Sequence, residues 1–396
     1  MPYSAPRKDE SLVAGFSKII NRIQGQPSSY NKKQDYTFGK TLGAGAFGVV
    51  RQARDNATKE NYAIKIILKK TLNGNEKMIM DEISVLSKLH HKHIVGFKDF
   101  FESKDKFFLV TQLATGGELF DRIIEKTKFK EADAARVIYQ ILSATEYIHD
   151  KDIVHRDIKP ENVLYLTRDE DSPIVLADFG VAKQLRTPDQ IIVNQAGSFG
   201  YAAPEVLVGV GYGKPCDIWS IGIITYTVLC GFSPVRSESV DNFLEEVTAE
   251  KWVIFYEQYW KDVSLEARQF IVSMLQIDQN QRPTAKDLLK HPWITSNIKE
   301  DRGADLLPNL REGFNARSKF KQVIEIVKMQ NRLKNLKALN LEDSEEDDLD
   351  YHAGTISRSD TTQSQAKTSA FHQLVATALE NKERVQSFHR QEQQGK

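Results

Sequence analysis

Residues 153–164 read Ile-Val-His-Arg-Asp-Ile-Lys-Pro-Glu-Asn-Val-Leu, and most other signals in the chain make sense relative to this stretch. Asp157 could accept the proton of a hydroxyl group, and Asn162, five residues later, could hold a metal ion. The same residue types also occur in a plain turn between two short strands. Alone, the stretch favours a catalytic loop without deciding it.

A glycine-rich stretch precedes this loop. Residues 41–50 read Thr-Leu-Gly-Ala-Gly-Ala-Phe-Gly-Val-Val, with glycine at 43, 45 and 48. Because glycine has no side chain, the backbone N–H groups of such a hairpin can approach phosphate groups. A tight hairpin without a ligand is the alternative.

The sequence Tyr62-Ala63-Ile64-Lys65 places a Lys inside an apolar, strand-like run. An ammonium group in such a setting is costly unless it has anionic partners. We expect those partners to be phosphate groups and Glu82, which lies in an amphipathic helix predicted over residues 78–89.

Asp178 follows an apolar strand that begins at Ile174, in the sequence Asp178-Phe179-Gly180. We expect Asp178 to bind a metal ion and to begin a segment that ends at Ala203-Pro204-Glu205. Motifs in this order and at these spacings exceed what chance produces.

Together these motifs resemble the eukaryotic protein kinases, and more closely their calcium/calmodulin-dependent branch, with fungal members the most similar. The closer resemblance covers roughly residues 36–340 and rests on Gly116-Gly117-Glu118-Leu119-Phe120-Asp121, Asp217-Ile218-Trp219-Ser220-Ile221-Gly222, Arg282-Pro283-Thr284 and His291-Pro292-Trp293-Ile294. It implies an α+β, bilobal kinase fold with a small antiparallel β-rich N-lobe, a mainly helical C-lobe and a C-terminal regulatory helix.

The resemblance also implies that ATP and Mg²⁺ are used to phosphorylate Ser or Thr side chains of proteins. The expected catalytic residues are Lys65, Glu82, Asp157, Lys159 and Asn162, and the expected metal ligands are Asn162 and Asp178. The expected nucleotide-binding residues are Leu42, Gly43, Ala44, Gly45, Ala46, Phe47, Gly48, Val50, Lys65, Thr111 and Leu113. Thr111 would be the gatekeeper behind the adenine, and Leu113 would lie in the hinge.

Three residues are expected to line the peptide groove, Glu118, Glu161 and Ser198. In the resembling family, acidic residues at the first two positions meet a basic side chain upstream of the phosphorylated hydroxyl, although solvated charges remain the alternative. Ser198 stands where the family usually has Thr, and Phe199 where it usually has Pro. A Ser can still form a hydrogen bond with Asp157, so we expect an active enzyme with an altered groove.

The segment from Asp178 to Glu205 corresponds to the activation segment of the family. It departs from the family at Asn194, where type I and type IV members carry a Thr that an upstream kinase phosphorylates. No Ser or Thr lies between Pro188 and Gly197. Arg156, which binds that phosphate in many kinases, therefore has none to bind unless Thr187 serves. We expect catalytic competence without phosphorylation at this site.

Some motif residues are expected to be structural. A buried carboxylate needs a partner, so Glu205 and Arg282 are predicted to form a buried ion pair, and Asp217 is predicted to be structural as well. The longest apolar run, residues 221–232, is too short to span a bilayer and suits a buried helix.

The overall charge points to neither nucleic acid nor membrane as a partner, because Lys plus Arg and Asp plus Glu each number 54. Cys216 and Cys230 are the only cysteines, both in apolar contexts, which favours a reducing compartment without disulfides or zinc. No signal peptide, myristoylation or prenylation motif is visible. We expect a cytosolic protein, and the nucleus stays open as a second location.

Four regions are predicted along the chain: residues 1–35, a largely flexible N-terminal extension; 36–294, a protein kinase domain; 295–340, an autoinhibitory and calmodulin-binding segment; and 341–396, an acidic and then Ser/Thr- and Gln-rich tail, disordered. The extension holds one amphipathic island, Leu12 to Ile23. Weak packing on the kinase and a membrane or partner contact both stay open for this island.

The stretch from Gly313 to Leu339 is predicted to be a basic helix, with seven Lys or Arg from Arg317 to Lys337. A core helix, a nucleic-acid contact, a membrane-surface helix and a calmodulin target are the competing interpretations. Core and membrane helices keep their apolar residues on one face, whereas Phe320 and Leu333 would lie about 20 Å apart on nearly opposite faces. The two lobes of calmodulin suit that arrangement. The expected calmodulin-binding residues are Arg317, Phe320, Lys321, Lys328 and Leu333.

Autoinhibition is expected because this segment lies shortly after the kinase domain in the chain. A segment tethered by about twenty residues has a high effective concentration at the substrate groove, and bound calmodulin would withdraw it. The autophosphorylated Thr of type II members is Leu307 here, so no calcium-independent memory is expected, and no association domain is evident after Leu341, which favours a monomer. A kinase that needs no calmodulin and a calmodulin-binding scaffold with an inactive kinase fold are the alternatives.

Overall fold

The computed structural model describes residues 26–44, 48–72, 74–187, 190–249, 252–298 and 303–314. The chain divides into two compact units, Met1–Leu307 and Pro308–Lys396. All of the catalytic motifs lie in the first unit. Of the second unit, residues 308–314 are described, and they are helical.

An antiparallel five-stranded sheet forms the N-terminal part of the first unit, in the order β1-β2-β3-β5-β4. The strands are β1 Tyr36–Ala44, β2 Gly48–Asp55, β3 Asn61–Leu68, β4 Phe97–Glu102 and β5 Lys106–Gln112. Helix α1, Lys77–Leu86, connects β3 to β4 in the chain. It ends three residues before the predicted end, because the N–H groups of Lys88 and Leu89 bond to carbonyls three residues back, which closes a tight turn after Leu86.

The alternation of side chains along β3 decides where Lys65 lies. Ile64 and Ile66 are buried in a cluster on one face of the sheet. Ile67 shares the other face with Lys65 and packs in a cluster with Ile79 of α1. Each buried Ile stabilises the fold by about 1.5–3 kcal/mol relative to an exposed one. This burial fixes which side chains of β3 lie on each face of the sheet. Lys65 therefore faces the helix that carries Glu82.

The C-terminal part of the first unit is mainly helical. Its strands are β6 Ile153–Val154, β7 Val163–Tyr165, β8 Ile174–Leu176 and β9 Lys183–Gln184. Its helices are α2 Leu119–Glu125, α3 Glu131–Asp150, α4 Pro204–Val208, α5 Pro215–Cys230, α6 Val240–Val247, α7 Glu257–Trp260, α8 Leu265–Met274, α9 Ala285–Leu288 and α10 Pro292–Asn297. The sheet and these helices confirm the predicted bilobal kinase fold.

Helix α5 is the centre of the helical part. Every residue from Cys216 to Cys230 is buried, as expected for a helix that is apolar all round. Both cysteines are free, and burial raises the pKa of the Cys230 thiol to about 12, so it stays protonated. No helix in the described part of the chain has the length and apolar character needed to cross a bilayer.

The predicted ion pair between Glu205 and Arg282 is confirmed. The guanidinium Nη1 and Nη2 atoms lie 2.6 and 2.8 Å from the two carboxylate oxygens, and both residues are buried. Arg282 also donates to the carbonyls of Pro215, Gln276 and Ile277 and lies over the Trp219 ring. The pair ties α4 to the segment after α8, and the bond from Arg282 to the Pro215 carbonyl joins that segment to the start of α5.

Residues 26–35 differ from the prediction of a largely flexible extension. Ser28–Asp35 form a 3-10 helix beside β4, the edge strand of the sheet. The Ser29 hydroxyl accepts from the Glu102 N–H, and Lys32 pairs with Asp99 at 2.6 Å. This segment satisfies backbone groups that an edge strand otherwise exposes. The island from Leu12 to Ile23 lies outside the described residues.

Candidate active site

Two short antiparallel ladders bring the catalytic loop and the Asp178 loop together. The catalytic loop runs between β6 and β7, and the Asp178 loop runs between β8 and β9. Since β6 pairs with β9 and β7 pairs with β8, the two loops lie side by side. The Ala177 N–H donates to the Asn162 carbonyl at 2.8 Å, which fixes their spacing.

Asp157 is the centre of a tight polar network. Its Oδ1 accepts from the Ser198 hydroxyl at 2.8 Å, and its Oδ2 lies 2.7 Å from the Lys159 ammonium. Lys159 also donates to the Ser198 Oγ at 2.7 Å. The Asn162 Nδ2 donates to the Asp157 carbonyl and Oδ2 at 2.8 and 3.2 Å. The Asp157 carboxylate thus accepts a hydrogen bond from the Ser198 hydroxyl, which shows that a hydroxyl group can reach it as a proton donor.

Lys65, Glu82 and Asp178 form a second charged group. The Lys65 ammonium lies 3.0 Å from both Glu82 Oε1 and Asp178 Oδ1. Glu82 is buried, and the Asp178 side chain is half exposed. Burial alone would lower the pKa of Lys65, but the two carboxylates outweigh it and raise that pKa. Burial likewise favours a higher pKa for Asp178, but Lys65 outweighs it and the pKa is lowered.

These shifts predict that nucleotide binding does not depend on pH in the neutral range. Because the pKa of Asp178 is lowered, its carboxyl group is ionised at neutral pH and above. Because the pKa of Lys65 is raised, its ammonium group stays protonated at neutral pH and in mildly alkaline solution. We expect the Kd of the ATP–metal complex, measured by titration calorimetry, to change less than about threefold from pH 7 to about 9. An inflection in that interval would contradict the assignment of these charges.

The strand register places the predicted nucleotide-binding side chains on one face of the sheet. Lys65 pairs with Val50 on β2, and Thr111 on β5 pairs with Ala63 on β3. Directly paired residues share a face of the sheet, and so do Ala63 and Lys65, which are two positions apart on β3. Val50, Lys65 and Thr111 therefore lie on the same face. A Cβ at Gly48 would lie 1.8 Å from the Ile66 carbonyl oxygen, so only glycine fits there.

Four further predicted nucleotide-binding residues are described, three along β1 and one after β5. Gly43 pairs with Val50, and the backbone of Ala44 pairs with Val49. Leu42 has an exposed side chain, and Leu113 directly follows β5. Gly45, Ala46 and Phe47 lie outside the described residues.

The donor set fits a divalent metal ion that is shared with phosphate groups. Because the Asn162 Nδ2 donates to Asp157, its amide oxygen is the atom suited to a metal, together with the Asp178 carboxylate on the adjacent loop. No group of three or more His, Cys, Asp or Glu that could hold a metal occurs in the described ranges. A metal held by Asn162 and Asp178 would have coordination positions left for phosphate oxygens.

The backbone of one predicted substrate residue lies beside the strand that follows the other. Glu118 immediately precedes α2, and its backbone bridges to Leu164 on β7, three residues after Glu161. The third predicted peptide-groove residue, Ser198, contacts Asp157 directly. The five predicted calmodulin-binding residues lie outside the described part of the chain.

Contacts of Asp217 with the catalytic loop were not evident from the sequence. Its fully buried carboxylate accepts from the His155 and Arg156 N–H groups at 2.9 and 2.8 Å. It also pairs with the His149 Nε2 at 2.9 Å. Burial favours a higher pKa for Asp217, but His149 and these donors outweigh it and lower the pKa. These contacts join residues more than sixty positions apart, so no local pattern signals them.

Ser198 offers a direct test of this network. Replacing it with Ala removes the hydroxyl that joins Asp157 to Lys159, and we expect kcat for a Ser peptide to fall about tenfold. Ser198→Thr keeps the hydroxyl and is expected to stay within about twofold of the wild type. Steady-state kinetics on the three proteins measures this, and equal losses for Ala and Thr would contradict the role of the hydroxyl.

Taken together, the site combines a carboxylate that accepts a hydroxyl hydrogen bond with a group of charged side chains that suits phosphates and a divalent metal. This combination is typical of a phosphotransferase that acts on hydroxyl groups. The protein kinase domain family matches residues 36–294. The chain belongs to the protein kinases, and within them to the calcium/calmodulin-dependent protein kinases, which makes it a Ser/Thr protein kinase that uses ATP and a divalent metal.

The relatives that establish this are fungal. The chain is 54% identical over 334 residues to the calcium/calmodulin-dependent protein kinase cmkA of Emericella nidulans, which covers 84% of this chain and 78% of the relative. It is 52% identical over 350 residues to a calcium/calmodulin-dependent protein kinase of Metarhizium anisopliae, covering 87% and 90%. A type I member from Schizosaccharomyces pombe is 40% identical over 304 residues, covering 76% and 90%.

Proposed function

We propose that the kinase transfers the γ-phosphoryl group of ATP, with Mg²⁺ as the metal, through the residues around Asp157. The observation that carries this proposal is that Asp157 Oδ1 already accepts a hydroxyl hydrogen bond, from Ser198 at 2.8 Å, with Lys159 beside it. Asn162 and Asp178 would hold Mg²⁺, which neutralises charge on the phosphates when bound. Lys65, fixed by Glu82, would position the phosphates.

In the transfer, a bond forms between the substrate hydroxyl oxygen and the γ-phosphorus, while the bond from that phosphorus to the ADP oxygen breaks. Asp157 takes the hydroxyl proton. Lys159, 2.7 Å from Asp157, offsets the negative charge that develops on the phosphoryl group. The test is phosphate transfer from ATP to an Arg-x-x-Ser peptide, and no transfer to any basic peptide would overturn the proposal.

We further propose that substrates carry a basic residue before the acceptor. Glu118 and Glu161 supply negative charge beside the catalytic loop, which supports this preference. Glu118→Gln and Glu161→Gln are each expected to raise the KM of the Arg peptide about three- to tenfold and to leave that of an Ala-x-x-Ser peptide unchanged. Glu125→Gln, an exposed change on the same α2 helix, is the matched control. Equal effects on both peptides would contradict the preference.

Calcium-loaded calmodulin is proposed as the regulatory partner, bound through Arg317, Phe320, Lys321, Lys328 and Leu333. The names of the fungal relatives support this, because each is called a calcium/calmodulin-dependent protein kinase. The placement of Phe320 and Leu333 thirteen residues apart in a basic stretch supports it independently. We propose that the same segment inhibits the kinase in the absence of calmodulin.

Calmodulin titration of the full chain tests these residues. Phe320→Ala combined with Leu333→Ala is expected to weaken binding at least a hundredfold, because each change removes an apolar anchor worth about 2 kcal/mol or more. Phe371→Ala combined with Leu374→Ala, the same substitutions outside the segment, is the matched control. Equal affinity of all three proteins would place the calmodulin site elsewhere.

We also propose a monomeric protein of the cytosol, with the nucleus open as a second location. The free, buried thiols of Cys216 and Cys230 support a reducing compartment. Nucleic acid and membrane are not proposed as partners, because the charge of the chain is balanced.

A further inference from the structure

Arg156 is held in a strained position by its neighbours. Its backbone φ is 70°, a left-handed conformation that costs a non-glycine residue about 1–3 kcal/mol. The Asp217 carboxylate accepts the Arg156 N–H and holds the backbone there. The side chain is thereby directed towards the segment that follows Asp178-Phe179-Gly180, where its Nε donates to the Val181 carbonyl at 2.6 Å.

The other contact of this guanidinium is a phenol. The Arg156 Nη1 donates to the Tyr212 hydroxyl oxygen at 3.2 Å, and that hydroxyl donates to the Asn194 carbonyl at 2.6 Å. The Tyr212 backbone exchanges two further hydrogen bonds with Ile192, at 2.9 and 3.0 Å. Tyr212 is buried, so it fixes the stretch 192–194 through three hydrogen bonds.

Fixing Asn194 also fixes the residues that complete the catalytic network. Gly197 and Ser198 follow three and four positions later, and Ser198 contacts Asp157 and Lys159. Gly197 lies so close to the Arg156 carbonyl oxygen that a Cβ there would come within 2.5 Å. Arg156 thus contacts the activation segment at its start through Val181, through Tyr212 at Asn194, and at Gly197.

We propose that the Tyr212 hydroxyl is a positioning group that holds the activation segment in its substrate-accepting conformation without phosphorylation between residues 188 and 197. The Tyr212 hydroxyl oxygen is a neutral acceptor for the Arg156 guanidinium, and the hydroxyl proton is donated to the Asn194 carbonyl. The hydroxyl therefore links the position of Arg156 to that of Asn194. No Ser or Thr between residues 188 and 197 could carry a phosphate for Arg156 instead. The inference rests on the proposed roles of Asp157 and Ser198.

Tyr212→Phe in the full chain, assayed with saturating calcium-loaded calmodulin and ATP, tests this role. The ring stays and the hydroxyl is lost, so we expect kcat/KM for an Arg-x-x-Ser peptide to fall about 10- to 100-fold, since small displacements of a positioned group have effects of this size. The KM for ATP is expected to stay within about twofold, because Lys65 and Asp178 are untouched.

Tyr226→Phe is the matched control. Tyr226 is equally buried, and its hydroxyl donates to the backbone carbonyl of Ile254, away from the activation segment. A general loss of stability would affect both variants alike, whereas a positioning role affects the Tyr212 variant alone. Thermal unfolding of both variants accompanies the kinetics.

Unchanged kinetics for Tyr212→Phe, or an equal loss for Tyr226→Phe, would each overturn the inference. A wild-type protein that transfers no phosphate would instead overturn the proposed function on which it rests.

Discussion

Replacing Asp157 with Asn is expected to lower kcat about 10²- to 10⁴-fold, the usual contribution of a positioned general base. The amide keeps the shape of the carboxylate but cannot take the hydroxyl proton, and it offers Lys159 a weaker acceptor than the carboxylate does. ATP binding should change little, because the substitution keeps Lys65, which is proposed to position the phosphates, and Asp178, which is proposed to hold the metal. Single-turnover transfer and a separate nucleotide titration measure the two effects.

Asp150→Asn is the control for this substitution. Asp150 is the exposed last residue of α3, so the same chemical change there should leave kcat within about twofold of the wild type. If Asp157→Asn kept more than about a tenth of the wild-type kcat, the proposed base would be wrong, because one positioned proton acceptor normally contributes more than this.

Glu205→Gln is expected to destabilise the first unit by about 3–5 kcal/mol, because it leaves the Arg282 guanidinium buried without an anion. Arg282 would keep its bonds to three backbone carbonyls, but these neutral acceptors do not replace a bidentate carboxylate. Thermal unfolding should show a fall in Tm of roughly 10 °C.

Glu125→Gln makes the same change in an exposed ion pair with Arg122 on α2. Surface pairs contribute about 0–1 kcal/mol, so its Tm should shift by no more than a few degrees. Similar Tm values for the two variants would show that burial does not strengthen the Glu205–Arg282 pair, contrary to the structure.

The fold and the charged group of Lys65, Glu82 and Asp178 were largely predictable, because most of the relevant residues lie in short, contiguous motifs. The catalytic loop, the Asp178 loop and the apolar run around Lys65 each place their functional residues within a few positions of an element boundary. Alternation along β3 then directs Lys65 towards the helix with Glu82. The Glu205–Arg282 pair was predictable because a buried charge requires an opposite charge.

Other features depend on contacts between distant positions. His149 and Asp217 are 68 residues apart, and Tyr212 and Asn194 are 18 apart, so neither contact has a local pattern. Residues 26–35 are mostly polar, and this composition predicted a flexible segment. In the structure, side chains of this segment bond to backbone and side-chain groups at the exposed edge of β4. The roles of Glu118, Glu161 and the calmodulin-binding residues remain predictions.

Phosphate transfer by the full chain to an Arg-x-x-Ser peptide, with and without calcium-loaded calmodulin, tests the proposed switch most directly. A chain ending at Phe314 serves beside it, because it keeps every described residue of the kinase domain and loses the basic stretch from Arg317. We predict that the full chain is at least tenfold slower until calmodulin is added, whereas the shortened chain is fast regardless. Equal rates for both chains without calmodulin would contradict autoinhibition.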